Sequence, residues 1–102
     1  MKANKSEIIV YNRKYKIKTV EKVTIEGNDN VLAGSCDYYN AEIQLAKALP
    51  AEITPRVLAH EVAHAALYES GLHNMFDEKQ TEAICDLVGS VAEIVKQRRG
   101  VK

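Results

Sequence analysis

Residues 54–71 read TPRVLAHEVAHAALYESG, and the reading of this stretch decides the fold. Thr54 is a good N-cap with Pro55 at the first helical position, and Gly71 supplies a C-terminal stop, so the segment between them is expected to be an α-helix. On a helix, His60 and His64 stand one turn apart on one face, within reach of a single metal ion. Glu61 lies beside them, placed to hydrogen-bond a water on such an ion without being a ligand. The neighbours Ala59, Ala63, Ala65 and Ala66 are small, which lets a second helix approach closely.

That second helix is expected downstream. Asp77 with Gln80 three residues later forms a capping-box-like start. Arg98 and Arg99 suit the negative end of the helix dipole, and Gly100 closes the segment. Ile84, Leu87, Val88, Val91 and Val95 recur at helical spacing. This stripe is expected to pack on a sheet and on the Leu58, Val62, Ala65 and Ala66 face of the first helix.

Upstream, the pattern changes to period two. Ile8–Tyr11 is β-rich, Asn12-Arg13-Lys14 reads as a turn, and Tyr15, Ile17 and Thr19 alternate with Lys14, Lys16 and Lys18. A further turn is expected at Gly27-Asn28-Asp29-Asn30. Segments 31–35 and 42–46 read as a hairpin joined near Tyr38-Tyr39-Asn40, and Pro50 ends the β region. The expected fold class is α+β: a small N-terminal β-sheet of about 3–5 strands, then an active-site helix and a second C-terminal helix, in one domain over residues 1–102.

The chain has 102 residues, of which 46% are apolar, which suits a globular core rather than disorder. Fourteen basic residues balance fourteen acidic ones, so no net field draws nucleic acid or an anionic membrane. No apolar run approaches the ~20 residues of a membrane span, and residues 1–11 lack the core of a signal peptide. A cytoplasmic location is expected, with Cys36 and Cys85 reduced. Cys85 falls in an apolar helical run and reads as a buried thiol. Neither cysteine has metal-knuckle or redox-pair spacing.

The His-Glu-x-x-His pattern is the zinc-peptidase motif, in which two His bind the metal and Glu is the general base. Catalytic zinc needs a third protein ligand and an open position for water. Glu82, one turn inside the second helix, is the candidate third ligand. Asp86 follows on the same face, placed to accept the second N–H of a ligating imidazole. Both acids interrupt an otherwise apolar run, where unpaired charge is costly and a metal partner removes the cost.

With these residues in place, the chain resembles a gluzincin-type zincin. His60-Glu61-x-x-His64 followed by Glu82-x-x-x-Asp86 carries the likeness, and the short β-rich half with a two-helix ending is similar to minimal ImmA/IrrE-like metallopeptidases. The resemblance covers residues 58–71 and 78–88, about a quarter of the chain. It implies a zincin-like fold and an intracellular Zn2+-dependent peptidase. Such enzymes are often encoded on phages or other mobile elements, and some cleave transcriptional repressors. Two departures stand out. One domain is expected in these 102 residues, without the further domains common in repressor-cleaving members, and no downstream His or Tyr among them matches the oxyanion residue of larger gluzincins.

The expected chemistry is hydrolysis of a peptide or protein substrate. Zinc on His60, His64 and Glu82 would acidify a water, and Glu61 would take its proton and pass it to the leaving amine. The substrate is expected to lie extended along a free sheet edge, with residues 42–46 the candidate edge. Tyr38, Tyr39, Tyr68 and His73 are all candidates for oxyanion support. The rival reading is a catalytically silent zinc-binding domain acting as a regulatory protein-binding module.

Overall fold

The computed structural model describes residues 6–25 and 28–99. Six strands precede two helices: β1 (Glu7–Val10), β2 (Arg13–Val20), β3 (Val23–Ile25), β4 (Asn28–Leu32), β5 (Gly34–Asp37), β6 (Glu42–Ala46), α1 (Thr54–Ser70) and α2 (Glu78–Arg99). A short 3₁₀ helix, Leu72–Met75, joins the two helices. The architecture is α+β, as expected. No helix among the described residues is long and apolar enough to cross a membrane.

Four strands form a mixed sheet in the order β1-β2-β6-β5, and β3 pairs with β4 in a separate two-stranded ribbon. The β1–β2 hairpin turns at Tyr11 and Asn12, with Val10 opposite Arg13. Arg13 and Lys14 therefore belong to β2 rather than to the turn. Tyr11 takes φ 57°, the left-handed geometry such a tight connection demands. Asn28–Asn30, expected in a turn, lie in β4; Gly27 falls outside the described residues, as does the expected helix stop at Gly100.

The hairpin expected between segments 31–35 and 42–46 is shifted. β5 pairs antiparallel with β6, Asp37 opposite Glu42, whereas Val31 and Leu32 belong to β4. More consequentially, β6 is not an edge. It runs parallel to β2 on one side and antiparallel to β5 on the other. Ile43 and Leu45 alternate inward and are buried, so two paired neighbours and a buried face make β6 the middle of the core. The free edge beside the helices is β5.

Val10, Tyr15, Ile43 and Leu45 build the core with Ala65 of α1, and Val57, Leu58, Val62 and Ala66 pack against it. The apolar face of α1 thus covers the sheet. α2 packs on α1 instead, through Cys85 and Gly89, which are both buried. The apolar stripe of α2, expected on the sheet and on the Leu58, Val62, Ala65 and Ala66 face of α1, is not on the sheet. Leu87, Val88, Val91 and Val95 are exposed, while the half-buried Ile84 borders, with Val88, an apolar groove lined by Val62 and Ala66 of α1.

Local ends follow the chemistry of the residues. Ile53 is the N-cap of α1, and Thr54 is already helical, its hydroxyl donating to the Pro50 carbonyl at 3.0 Å. Gly71 ends α1 at φ 83°, where a side chain would be strained. At α2 the capping box forms in both directions. The Gln80 amide donates to Asp77 Oδ1 at 2.7 Å, and the Asp77 amide donates to Gln80 Oε1 at 2.9 Å.

One polar contact ties sheet to helix. Glu69 accepts from the Tyr15 hydroxyl at 2.7 Å and from the Arg13 guanidinium at 2.9 Å. The Tyr15 bond first, and the Arg13 bond and charge after it, hold its carboxyl below the usual range. A depressed folded pKa contributes stability that is complete above the unfolded pKa and lost as pH falls through the folded one. Glu69→Gln should therefore lower the Tm at neutral pH, with the gap to the parent closing below about pH 4. Thermal melts across pH check this, and a pH-independent gap would refute it.

Candidate metal centre

α1 presents His60 and His64 one turn apart, and α2 presents Glu82 and Asp86 one turn apart. The helices cross so that these faces meet. Gly89 makes the approach possible: a Cβ there would stand 2.8 Å from the Arg56 carbonyl oxygen and 3.6 Å from His60 Cβ. A glycine inside a helix costs about 1 kcal/mol relative to alanine, so its presence calls for a packing reason. The close crossing is that reason.

The donor atoms converge. His60 Nε2 lies 3.4 Å from Glu82 Oε1, and His64 Nε2 lies 2.8 Å from Glu82 Oε2. One ligating atom from each residue falls within 4.8 Å of the others. The opposite ring nitrogens are occupied separately. His60 Nδ1 is 3.0 Å from Asp86 Oδ1, and His64 Nδ1 is 3.4 Å from the Tyr38 hydroxyl. The Asp86 carboxylate can only accept, so it favours the neutral His60 tautomer with Nδ1 protonated and Nε2 free as a ligand, whereas the Tyr38 hydroxyl can donate to or accept from His64 Nδ1. Burial lowers the pKa of His64, against an opposing pull from Glu82. A neutral imidazole is the form a metal requires. Two imidazole nitrogens, one carboxylate and oriented outer partners make a donor set that fits zinc.

Glu61 is the one buried charged residue of the described core. Burial, reinforced by the charge of Glu82 and opposed by His60, pushes its carboxyl up to about 7. Its carbon chain lies under β5. A Cβ on Gly34 would stand 3.2 Å from Glu61 Cγ and 3.0 Å from Val57 Cγ1, so glycine lets the edge strand settle onto α1 at the base.

These groups border an open cleft of about 1020 Å³, walled by Gly34–Asp37 of β5 on one side and by α1, Glu82 and Asp86 on the other. Of the four candidates for oxyanion support, Tyr38, Tyr39 and Tyr68 line this cleft, and the rings of Tyr38 and Tyr68 stack at 4.5 Å. Tyr39, at the rim, is 90% exposed. His73 sits in the 3₁₀ turn behind Tyr68, at 4.9 Å between rings, with its Nδ1 buried. Tyr38 is nearest the cluster, through His64. Cys36 and Cys85 are pushed up to about 12 by burial, so both are thiols at neutral pH and neither is a ready nucleophile.

The close approaches at Gly34 and Gly89, and the contact of Tyr38 with His64, do not follow from the sequence pattern. An isolated Gly inside the helical pattern of 78–99 is the available signal for Gly89. The chain matches no protein-family model, no curated protein and no solved structure, so the reading of the site rests on its geometry.

Proposed function

We propose that this chain is a zinc-dependent peptidase of the gluzincin-like kind, similar in plan to minimal ImmA/IrrE-like enzymes and acting on a peptide or protein substrate. The observation that carries the reading is the convergence of His60 Nε2, His64 Nε2 and the Glu82 carboxylate beside a buried Glu61, at the wall of a cleft bordered by an edge strand.

His60, His64 and Glu82 would hold the ion, with Asp86 and Tyr38 orienting the two imidazoles. The chemistry a bound zinc supplies is Lewis acidity, which lowers the pKa of a water toward ~7 and polarises a carbonyl. Glu61 accepts the proton of the attacking water on its carboxylate and returns it to the leaving amine. Burial raises the Glu61 carboxyl in the metal-free protein, and a bound dication favours the carboxylate form that accepts the proton. β5 offers unpaired backbone groups on its outer side, so an extended substrate can add to the sheet there and lie across the cleft.

The test is metal content together with activity. The purified protein should carry one zinc per chain, lost in His60→Ala, and zinc-loaded protein should generate new termini in an unstructured peptide library read by mass spectrometry. Stoichiometric zinc without any cleavage would support the silent regulatory module instead. Absence of zinc binding would sink both.

A further inference from the structure

We infer that Arg13 is a positioning residue for the metal centre: its guanidinium clamps the turn between β5 and β6 to α1 and so keeps the Tyr38 hydroxyl on His64. The inference rests on the reading of His64 as a ligand and extends it to a residue outside the cleft. Arg13 opens β2, opposite Val10, and is not among the residues that border the cleft.

The turn is residues 38–41, between Asp37 and Glu42, which pair across the two strands. Ala41 holds φ 53°, a left-handed conformation that a non-glycine residue keeps only where its surroundings enforce it. Three contacts do so. The Asn40 amide donates to Asp37 Oδ1 at 3.2 Å, the Lys16 amide donates to the Ala41 carbonyl at 2.9 Å, and Arg13 Nη2 donates to the Tyr39 carbonyl at 3.1 Å. The first is internal to the turn, and the second ties it to β2. The third reaches the helix, because Arg13 Nη1 donates to Glu69 of α1 at 2.9 Å. One planar guanidinium thus joins the two elements that carry the walls of the cleft.

The residues next to the clamped ones are the ones at the site. Tyr38 precedes Tyr39, and Tyr68 precedes Glu69. The rings of Tyr38 and Tyr68 stack with their planes 1° apart, and the Tyr38 hydroxyl stands 3.4 Å from His64 Nδ1. His60 receives its Asp86 partner from a helix, whereas the partner of His64 comes from a turn whose placement must be secured separately. When His64 Nε2 is a ligand, the ring proton is on Nδ1 and the Tyr38 oxygen accepts it, which fixes the ring plane. At 3.4 Å the contact is near the limit of a hydrogen bond, so a small displacement of the turn breaks it.

The test reads zinc affinity, by competition with a chromophoric chelator, beside the Tm. Arg13→Lys keeps a cation for Glu69 but cannot hold Glu69 and the Tyr39 carbonyl with one rigid fork. It should melt close to the parent and bind zinc about tenfold more weakly. Arg13→Met should lose at least as much affinity, and Arg13→Lys still decides the matter should Arg13→Met misfold. Tyr38→Phe keeps the ring stack and should also lose about tenfold, and adding Arg13→Lys to it should cost nothing further, because Arg13 acts through the Tyr38 hydroxyl. Parental affinity in Arg13→Lys, or a loss that adds in full to that of Tyr38→Phe, overturns the inference. A parent that binds no zinc overturns the metal reading instead, and the clamp is then decided by the His64 ring resonances of the metal-free protein in NMR spectra. They should shift in Arg13→Lys, and unmoved resonances would overturn the clamp as well.

Discussion

Glu61→Gln should abolish measurable peptide hydrolysis while zinc content stays at the parent level. Gln keeps the shape of Glu61 beneath β5 but cannot accept a proton, and loss of a positioned general base typically costs about 10²–10⁴ in rate. Metal retention follows because Glu61 is absent from the converging ligand set of His60, His64 and Glu82. The pairing of kcat/KM on a fixed peptide with zinc analysis separates the two roles. Unchanged hydrolysis would remove Glu61 as the base, and lost zinc would make it a ligand.

The same substitution carries a stability signature in the metal-free protein. The Glu61 carboxyl is raised from 4.5 to about 7, chiefly by burial. Its folded pKa stands above its unfolded one, so its contribution is complete below the unfolded pKa and is lost as pH rises through about 7. Glu61→Gln escapes that loss. Its Tm relative to the parent should therefore rise between pH 4.5 and 7 and then level off, an opposite trend to the one expected for Glu69→Gln. A bound dication would flatten the effect by favouring the carboxylate, so the melts belong in chelator.

The second large effect is expected at Gly89→Ala. The new methyl would stand 2.8 Å from the Arg56 carbonyl oxygen, a backbone atom that cannot swing aside. α2 must then shift or tilt away from α1. Overpacking of this kind costs about 1–3 kcal/mol, against which alanine recovers only about 1 kcal/mol of helix propensity. The shift also separates Glu82 and Asp86 from His60 and His64, so zinc affinity should drop together with the Tm. Gly71→Ala is the control. It meets nothing within 4 Å but sits at φ 83°, so it should lower the Tm through backbone strain and leave zinc affinity intact. A Gly89→Ala protein with parental zinc affinity would show that the helix crossing does not set the site.

Much of the candidate site is legible in the amino-acid order alone. His60 and His64 sit at a local helical spacing, and the Pro55 and Gly71 signals around them are local as well. Asp77 and Gln80 close their capping box within four residues, and Glu82 with Asp86 share a face for the same reason. The features that local pattern misplaces involve partners distant in sequence. Residues 42–46 look like an edge because their alternation shows which side chains share a face, yet alternation says nothing about how many strands flank them. The parallel pairing of β2 with β6 joins residues more than twenty positions apart, Lys16 with Glu42 for one, and no local pattern records it.

The α2 stripe illustrates the same limit. Its period determined that Ile84, Leu87, Val88, Val91 and Val95 lie together, and the sequence by itself determined the helix that carries them. It also determined that two imidazoles and a neighbouring carboxylate would stand on one turn of α1. Only the tertiary structure decided that most of the stripe faces water, that β5 and not β6 is the edge strand at the cleft, and that Gly89 brings Glu82 to the histidines. Helical and strand periods are set by backbone geometry within a few residues. The choice of which face is covered is set by competition for the available apolar surface, and α1 commits its own to the sheet.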